Sequence, residues 1–153
     1  MKSLVIRDAR PADIAAIVAI AGDSPSASHW PESHYENALF KPGHLILVAE
    51  VQPSEVVGFL LASTTIAEWE LENIAVSSGA RRSGVGRALM TALIDRARRG
   101  KATEIRQEIR ESNMAAQRLG LSVGFAQQGR RRDYYRNPVE DALLFKHLLG
   151  GGR

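Results

Sequence analysis

The pattern of apolar and polar residues in the first part of the chain predicts a strand followed by a helix. The strand is predicted at Leu4–Ile6. The helix opens at Pro11 and Asp13, because proline is tolerated in a first helical turn and an acidic side chain suits the positive end of the helix dipole. Apolar residues then recur at helical spacing on one face, at Ile14, Ile17, Val18 and Ala21.

A loop and a second helix lead into a run of strands. The segment Gly22–Pro31 is rich in Ser, Gly and Pro and predicts a loop, and Glu32–Leu39 predicts a short helix that ends before Pro42. The link Gln52-Pro53-Ser54 favours a hairpin between the first two strands that follow. The three predicted strands are Leu45–Glu50, Val56–Thr65 and Trp69–Val76.

The last of these strands carries polar residues on both of its sides. Simple alternation places one set on one side and a second set on the other, namely Trp69, Leu71, Asn73 and Ala75 against Glu70, Glu72, Ile74 and Val76. Two carboxylates and an asparagine on one strand indicate a polar cleft nearby. A solvated strand edge would give the same pattern.

The second half of the chain predicts a helix, a strand, another helix and two closing strands. Ser112 is expected to cap the second of these helices. The predicted ranges, in order, are Gly84–Arg99, Glu104–Ile109, Ser112–Leu121, Gly124–Arg132 and Leu143–Leu149, with a turn at Asp133–Pro138. We expect one domain over residues 1–149 and a flexible tail at residues 150–153.

Composition narrows the class of protein. The chain has 153 residues, 44% of them hydrophobic and 24% charged, which fits one soluble domain. Cysteine is absent, which excludes disulfides, thiolate metal sites and a cysteine nucleophile. No apolar run approaches the roughly 20 residues of a membrane span, and the charged N-terminus does not resemble a secretory signal. The expected location is therefore the cytoplasm, with no membrane partner.

Basic residues occur in groups although the net charge is only +3. Such groups suit anionic ligands or nucleic acid, whereas solvated helix and strand edges look the same. The groups are Arg81, Arg82 and Arg87; Arg96, Arg98, Arg99 and Lys101; and Arg130, Arg131, Arg132 and Arg136. The four histidines have neither the spacing of a helical metal pair nor an acidic cluster beside them, so no metal is expected.

The first basic group lies in a glycine-containing loop between a predicted strand and helix. A helix N-terminus offers unpaired N–H groups and positive potential, and glycine lets the backbone approach a phosphate closely. The loop therefore predicts an anion site that suits a pyrophosphate. The alternative is a tight strand-to-helix turn with surface arginines. The residues of this glycine-containing loop are Arg81, Arg82, Ser83, Gly84, Val85, Gly86 and Arg87.

Two common phosphate loops do not fit this segment. A Walker loop requires Lys and Ser or Thr after its second glycine, but Val85 and Gly86 follow Gly84. A dinucleotide-binding fingerprint requires a third glycine where the chain has Leu89. The remaining pattern is R-x-x-G-x-G.

This pattern resembles the acetyl-CoA loop of the GNAT acetyltransferase superfamily. The segments on either side of the loop follow one another in the same order as in that superfamily, and the match is strongest over Asn73–Phe125. Within the superfamily, the chain most resembles the RimI-like ribosomal-protein alanine N-acetyltransferases. The matching segments are Asn73–Val76, Arg110–Asn113, Gly124-Phe125, Ser28–Ser33, Glu108–Arg110, Tyr134-Tyr135 and Glu140–Ala142. The resemblance implies a three-layer α/β/α fold whose mixed, mostly antiparallel central sheet is splayed between its fourth and fifth strands.

The resemblance also implies roles for single residues. Ile74, Ala75 and Val76 would pair through their backbone with the pantetheine arm of acetyl-CoA, and the loop Arg81–Arg87 would hold its pyrophosphate. Asn113 and Ala116 would also contact the cofactor. Glu108 matches the family's general base, with Glu72 as a reserve base.

One position departs from the family. The family usually supplies a tyrosine that protonates the departing thiolate, and the chain has Gly120 there. Tyr134, Tyr135 or water could replace it, and Tyr135 is selected as the candidate acid. A general acid contributes about 10²–10⁴-fold to a rate, so its loss without replacement would leave a slow enzyme. The alternative is therefore a module that binds acyl-CoA without efficient catalysis.

The expected acceptor is an amine. A protein N-terminus, including that of a ribosomal protein, fits the subgroup, and a small amine is the alternative. An α-amine has a pKa of about 7.7–8.0 against about 10.4 for lysine, so a modest base suffices for it. The segment Arg130–Arg136 interleaves arginine and tyrosine as single-strand binders do, but the small net charge argues against nucleic acid.

Overall fold

A computed structural model describes residues 3–150 of the protein. Seven strands form one sheet, and four α-helices and two short 3₁₀ turns, Pro11–Asp13 and Ser78–Ala80, connect them. The strands are β1 (Leu4–Asp8), β2 (His44–Val51), β3 (Glu55–Thr64), β4 (Glu68–Val76), β5 (Glu104–Arg110), β6 (Ala126–Tyr135) and β7 (Glu140–Leu148). The helices are α1 (Ile14–Gly22), α2 (Glu32–Phe40), α3 (Val85–Arg99) and α4 (Met114–Ser122). The predicted tail lies outside the described residues from position 151 onward.

The sheet opens between its fourth and fifth strands. Its order is β1-β2-β3-β4-β5-β7-β6, and every neighbouring pair is antiparallel except β4 and β5. These two strands pair only from Glu68 with Glu104 to Leu71 with Gln107, yet both continue beyond that point. The splay expected in the mixed sheet is therefore confirmed.

Helices pack on both faces of the sheet. Helix α3 buries Leu89, Leu93 and Ile94 against apolar side chains from β2 to β5 and β7. On the other face, α1 and α2 pack on β2 and β3, with Tyr35 fully buried and its ring edge-on to Phe59 at 5.7 Å between centroids. This arrangement is the expected three-layer α/β/α fold.

A bulge in β4 corrects the predicted alternation of that strand. Asn73 pairs with Leu61 and Leu71 pairs with the adjacent Ala62, so Glu72 has no partner in β3. The extra residue reverses which side chains face which way. Leu71 packs with α3, whereas Asn73 contacts the loop and helix on the opposite face.

The ends of two other elements also differ from expectation. Asn113, not Ser112, caps α4, because its side-chain oxygen accepts a hydrogen bond from the Ala116 amide at 3.1 Å. Strand β6 continues through the predicted turn to Tyr135, which pairs with Glu140 in β7. The Asp133 amide donates to a side-chain oxygen of Asp141 at 2.9 Å, which holds this irregular end of the hairpin together.

Candidate active site

The divergence of β4 and β5 opens a cleft of ≈ 940 Å³. The loop before α2, the N-terminal half of α4 and the end of β6 complete its walls. Strand β5 presents two different faces there. Its helical face, which we define by Ile105, Gln107 and Ile109, lies toward α3, and its open face, defined by Arg106, Glu108 and Arg110, lies on the opposite side.

The N-terminus of α3 lies at the mouth of the cleft. Gly84 caps the helix with φ +86°, and the preceding Arg82 has φ +63°, so the chain turns sharply into the helix. No side chain caps this end, so the first amides of the helix stay available to an anion. Gly86 permits close packing, because a Cβ there would lie 3.2 Å from Leu119 of α4.

The predicted cofactor residues divide into two sets. One set lines the cleft: Ile74, Ala75, Val76, Arg81, Gly86, Asn113 and Ala116. The other set lies outside its wall: Arg82, Ser83, Gly84, Val85 and Arg87. Val85 is buried in the core, and Arg87 borders a separate groove between α3 and α4. The cleft that the structure describes therefore includes the first set directly, and the second set forms the turn and the first part of α3 beside it.

Arg81 lines the cleft and is hydrogen-bonded there to other protein groups. Its Nε donates to the Val76 carbonyl at 3.0 Å, and its Nη2 donates to the Ser24 hydroxyl at 3.1 Å. His29 contacts the Ser24 carbonyl at 3.0 Å. Arg81 therefore ties the end of β4 to the loop that forms the opposite wall of the cleft, a link that sequence reasoning missed.

Asn73 anchors the same loop. Its Oδ1 accepts from the Ser28 amide, and its Nδ2 donates to the Ser28 carbonyl, both at 3.1 Å. Nδ2 also donates to the Tyr35 hydroxyl at 3.2 Å. Asn73 lines the cleft but is nearly fully buried, at 6% exposure, and its amide is bonded to the wall loop and to Tyr35.

The resemblance to acetyltransferases implies an amine and acetyl-CoA as the two ligands of this cleft, and on that basis we expect Asn73→Ala to weaken binding of the amine selectively. Loss of the paired bonds to Ser28 frees the wall loop, so KM for the amine should rise about 5–10-fold, equivalent to one ordinary hydrogen bond, while KM for acetyl-CoA changes less than twofold. Steady-state kinetics with each substrate varied in turn would measure this. Ser28→Ala is the matched control, because Asn73 uses only the backbone of Ser28. An equal rise in both KM values would contradict the assignment.

Three carboxylates meet at the open side of the cleft: Glu70, Glu72 and Glu108. The pKa of Glu70 is raised, first by burial and then by the negative charges of Glu108 and Glu72, against the opposing effect of Arg106. A raised carboxyl pKa is typical of groups that bind cations or exchange protons. Sequence reasoning did not select Glu70, because its proximity to Glu108 depends on the pairing of β4 with β5.

We expect Glu70→Gln to raise Tm at neutral pH. A carboxyl whose pKa is higher in the folded than in the unfolded state lowers stability progressively as the pH rises from its unfolded pKa through its folded pKa. The gain in Tm should therefore vanish below the unfolded pKa of about 4.3, grow as the pH rises through the raised folded pKa of Glu70, and level off above it. Thermal melts from pH 4 to 8 would test this, with Glu55→Gln as a control at an exposed carboxylate outside the cleft. A gain independent of pH would count against it.

Tyr135 lies on the open face beside Arg110. The guanidinium carbon of Arg110 is 4.2 Å from the centre of the Tyr135 ring, and Arg110 also pairs with Glu140 at 3.0 Å. Burial raises the pKa of the Tyr135 phenol, and the charge of Glu108 raises it further. The phenol therefore keeps its proton at neutral pH and can donate it in a hydrogen bond.

Gly120 does not line the cleft. It is buried in α4, and a Cβ there would lie 3.5 Å from Phe125 and 3.8 Å from Oε1 of Gln107.

The basic cluster of β6 is partly neutralised, because Arg130 pairs with Glu111 at 2.8 Å and with Asp141 at 2.7 Å.

The sequence model of the acetyltransferase (GNAT) family matches residues 14–125. The chain belongs to the GNAT acetyltransferase family. GNAT acetyltransferases use acetyl-CoA as co-substrate, and the uncapped helix end, its glycines and the adjoining cleft fit the pyrophosphate and arm of that molecule. The family resemblance noted in the sequence is thus confirmed.

Two relatives of this GNAT protein are similar in sequence. The N-alpha-acetyltransferase RimI of Mycobacterium tuberculosis is 35% identical over 133 residues, which cover 84% of this chain and 79% of the relative. The [ribosomal protein bS18]-alanine N-acetyltransferase of Escherichia coli K12 is 36% identical over 95 residues, which cover 61% of this chain and 64% of the relative.

Solved structures agree on the fold. The crystal structure of the Escherichia coli ribosomal-protein-S18-alanine N-acetyltransferase superposes with a TM-score of 0.84 at 28% identity, covering 96% of this chain and 94% of that one. Arabidopsis thaliana NAA60, crystallised with a bisubstrate analogue, has a TM-score of 0.88 at 16% identity, covering 97% and 99% of the two chains, and supports the fold alone.

Two kinds of feature are absent from residues 3–150. No helix in this range combines the length and apolar character that a membrane crossing requires. The same residues contain no group of three or more His, Cys, Asp or Glu side chains that could hold a metal ion.

Proposed function

We propose that this GNAT acetyltransferase transfers the acetyl group of acetyl-CoA to the α-amine of a protein N-terminus, and that its substrate is a ribosomal protein in the cytoplasm. The observation that carries the proposal is one cleft that joins an uncapped helix N-terminus to a cluster of three carboxylates. The relatives named for N-alpha and bS18-alanine acetylation support the choice of acceptor.

The cofactor end of the cleft binds through the backbone. The amides of Arg82 to Arg87 hold the pyrophosphate, with the helix dipole adding positive potential. Ile74, Ala75 and Val76 pair with the pantetheine arm along the edge of β4 that β5 has left. Asn113 uses its amide nitrogen, because its oxygen already caps α4, and Ala116 packs beside it. When bound, acetyl-CoA supplies an activated acyl carbon.

The acceptor end provides negative charge and a base. Glu108 accepts the proton that the attacking amine loses, directly or through one water. Glu72 is the reserve base, and Glu70 adds negative charge that attracts a cationic N-terminus. Because a fraction of α-amines is already neutral near pH 7.5, such a modest base is enough.

Tyr135 acts on this same open face. Its phenol keeps its proton because burial, and then the negative charge of Glu108, raise its pKa. It donates a hydrogen bond to the reacting groups, and the guanidinium of Arg110, which packs against the face of its ring, holds the ring in position. The proposed catalytic set is therefore Glu108 and Tyr135, with Glu72 in reserve.

Release of CoA with a panel of acceptors tests the proposal. The panel contains a peptide that begins with alanine, the same peptide with a blocked α-amine and an internal lysine, and spermidine. We expect turnover on the first peptide to exceed that on the other two by at least tenfold in kcat/KM. A preference for spermidine would assign a small amine as acceptor, and binding of acetyl-CoA without turnover on any acceptor would identify a binding module; either result would overturn the proposal.

A further inference from the structure

Gln107 lies at the apex of the cleft. It forms the last paired position between β5 and β4, opposite Leu71, and its side chain extends from the helical face of the strand. The residue is 8% exposed and lines the cleft. An extended ligand that enters between the diverging ends of β4 and β5 and reaches their last pair would meet Gln107 there.

The carboxamide of Gln107 is not stabilised by its surroundings. Its Oε1 is inaccessible and has no hydrogen-bond partner among the described residues. The cleft-lining side chains that α4 contributes beyond its N-cap are apolar, namely Ala115, Ala116 and Leu119. A buried polar group without a partner is destabilising, and such groups in native proteins require an explanation.

The orientation of the carboxamide leaves its donor end for the cleft. Oε1 is turned toward Gly120, 3.8 Å from the position of a Cβ there, so the amide nitrogen is the polar end that remains for a ligand. Tyr135 and Glu108 lie on the other face of β5. Gln107 is thus a polar cleft-lining side chain on the helical face of β5, next to Gly120 of α4.

We propose that the Gln107 amide donates a hydrogen bond to the sulfur of acetyl-CoA and stabilises the departing thiolate. The inference rests on the proposed function. As the bond from nitrogen to the acyl carbon forms, the bond from carbon to sulfur breaks and its electron pair moves onto sulfur. The amine proton passes to Glu108, and a proton from solvent reaches the sulfur. Gln107 transfers no proton; it places a positive dipole end where negative charge develops.

A titration of bound CoA tests this contact without requiring turnover. The ultraviolet absorbance of the thiolate reports the pKa of the thiol in the binary complex. We expect that pKa to be lower in the wild type than in Gln107→Leu by about one unit, the effect of a single hydrogen bond to a charged group. Gln107→Glu should not restore it, because a carboxylate cannot donate. Equal thiol pKa values in wild type and Gln107→Leu would overturn the inference.

Kinetics and stability separate this role from a structural one. In Gln107→Leu, kcat should fall about 10–100-fold, somewhat less than the loss of an oxyanion donor, while KM for acetyl-CoA stays within twofold and Tm does not fall. Gln127→Leu, at an exposed glutamine outside the cleft, is the matched control. Gln107→Met provides a second apolar variant if the leucine packs poorly. An unchanged kcat in both apolar variants would also overturn the inference. If the N-terminal peptide proves not to be a substrate, the thiol titration still tests the role of Gln107, because it requires no acceptor.

Discussion

Glu108→Gln should lower kcat/KM for an N-terminal peptide by about 10²–10³-fold, within the usual range for a general base. The substitution keeps the shape and hydrogen-bonding capacity of the side chain but removes its ability to accept a proton. Binding of acetyl-CoA should remain within twofold, because the α3 end of the cleft does not involve Glu108. Initial rates from pH 6 to 9 would show the loss most clearly near neutrality, where few amines are already deprotonated.

The matched control is Glu104→Gln. Glu104 lies on the same open face of β5 but outside the cleft, where it pairs with Arg106 at 2.6 Å. We expect it to retain at least half of the wild-type rate. If Glu108→Gln keeps full activity and Glu72→Gln loses it, the reserve base is the true one and our assignment of Glu108 is wrong.

Gly124→Ala should be the most destabilising of the substitutions considered, by about 2–3 kcal/mol. Gly124 has φ +99°, a conformation that disfavours any side chain, and a Cβ there would lie 2.7 Å from Cε1 of His147. The His147 ring is buried and packs on Phe125 at 5.3 Å between centroids, so it cannot move away freely. A fall in Tm of about 5–10 °C would correspond to this loss in a domain of this size.

Two further variants separate collision from backbone strain. Gly129→Ala in β6 is the control, because its Cβ would meet Leu144 at an ordinary 3.8 Å and its φ is not positive. Adding His147→Ala to Gly124→Ala should recover part of the stability that Gly124→Ala loses. The second substitution removes the collision with the His147 ring but leaves the unfavourable positive φ at residue 124. A Gly124→Ala protein as stable as Gly129→Ala would contradict the packing described.

The sequence predicted those elements well whose pattern is local. Helix α3 was expected at Gly84–Arg99 and spans Val85–Arg99, because its apolar stripe, its glycine cap and the following Gly100 are all readable within one segment. The place of the splay could be predicted only through the family resemblance. The residues of β4 and β5 do not by themselves show that the pairing of the two strands stops at Leu71 and Gln107.

The sequence failed where a long-range contact decides the structure. The bulge at Glu72 cannot be inferred from alternation, because an extra residue is visible only in the register with β3. Strand β6 was predicted too short because its arginines are exposed as an edge strand and show no apolar face. The hydrogen bond from Arg81 to Ser24 joins residues 57 positions apart, so the residues of the glycine loop alone could not predict it.

The most direct test of the account is the site of acetylation on a peptide that offers both kinds of amine. A peptide with a free N-terminal alanine and one internal lysine, incubated with acetyl-CoA and the enzyme, would be sequenced by tandem mass spectrometry. We expect one acetyl group, on the α-amine, and a strong reduction of this product with Glu108→Gln. Acetylation of the lysine in preference to the α-amine would contradict it.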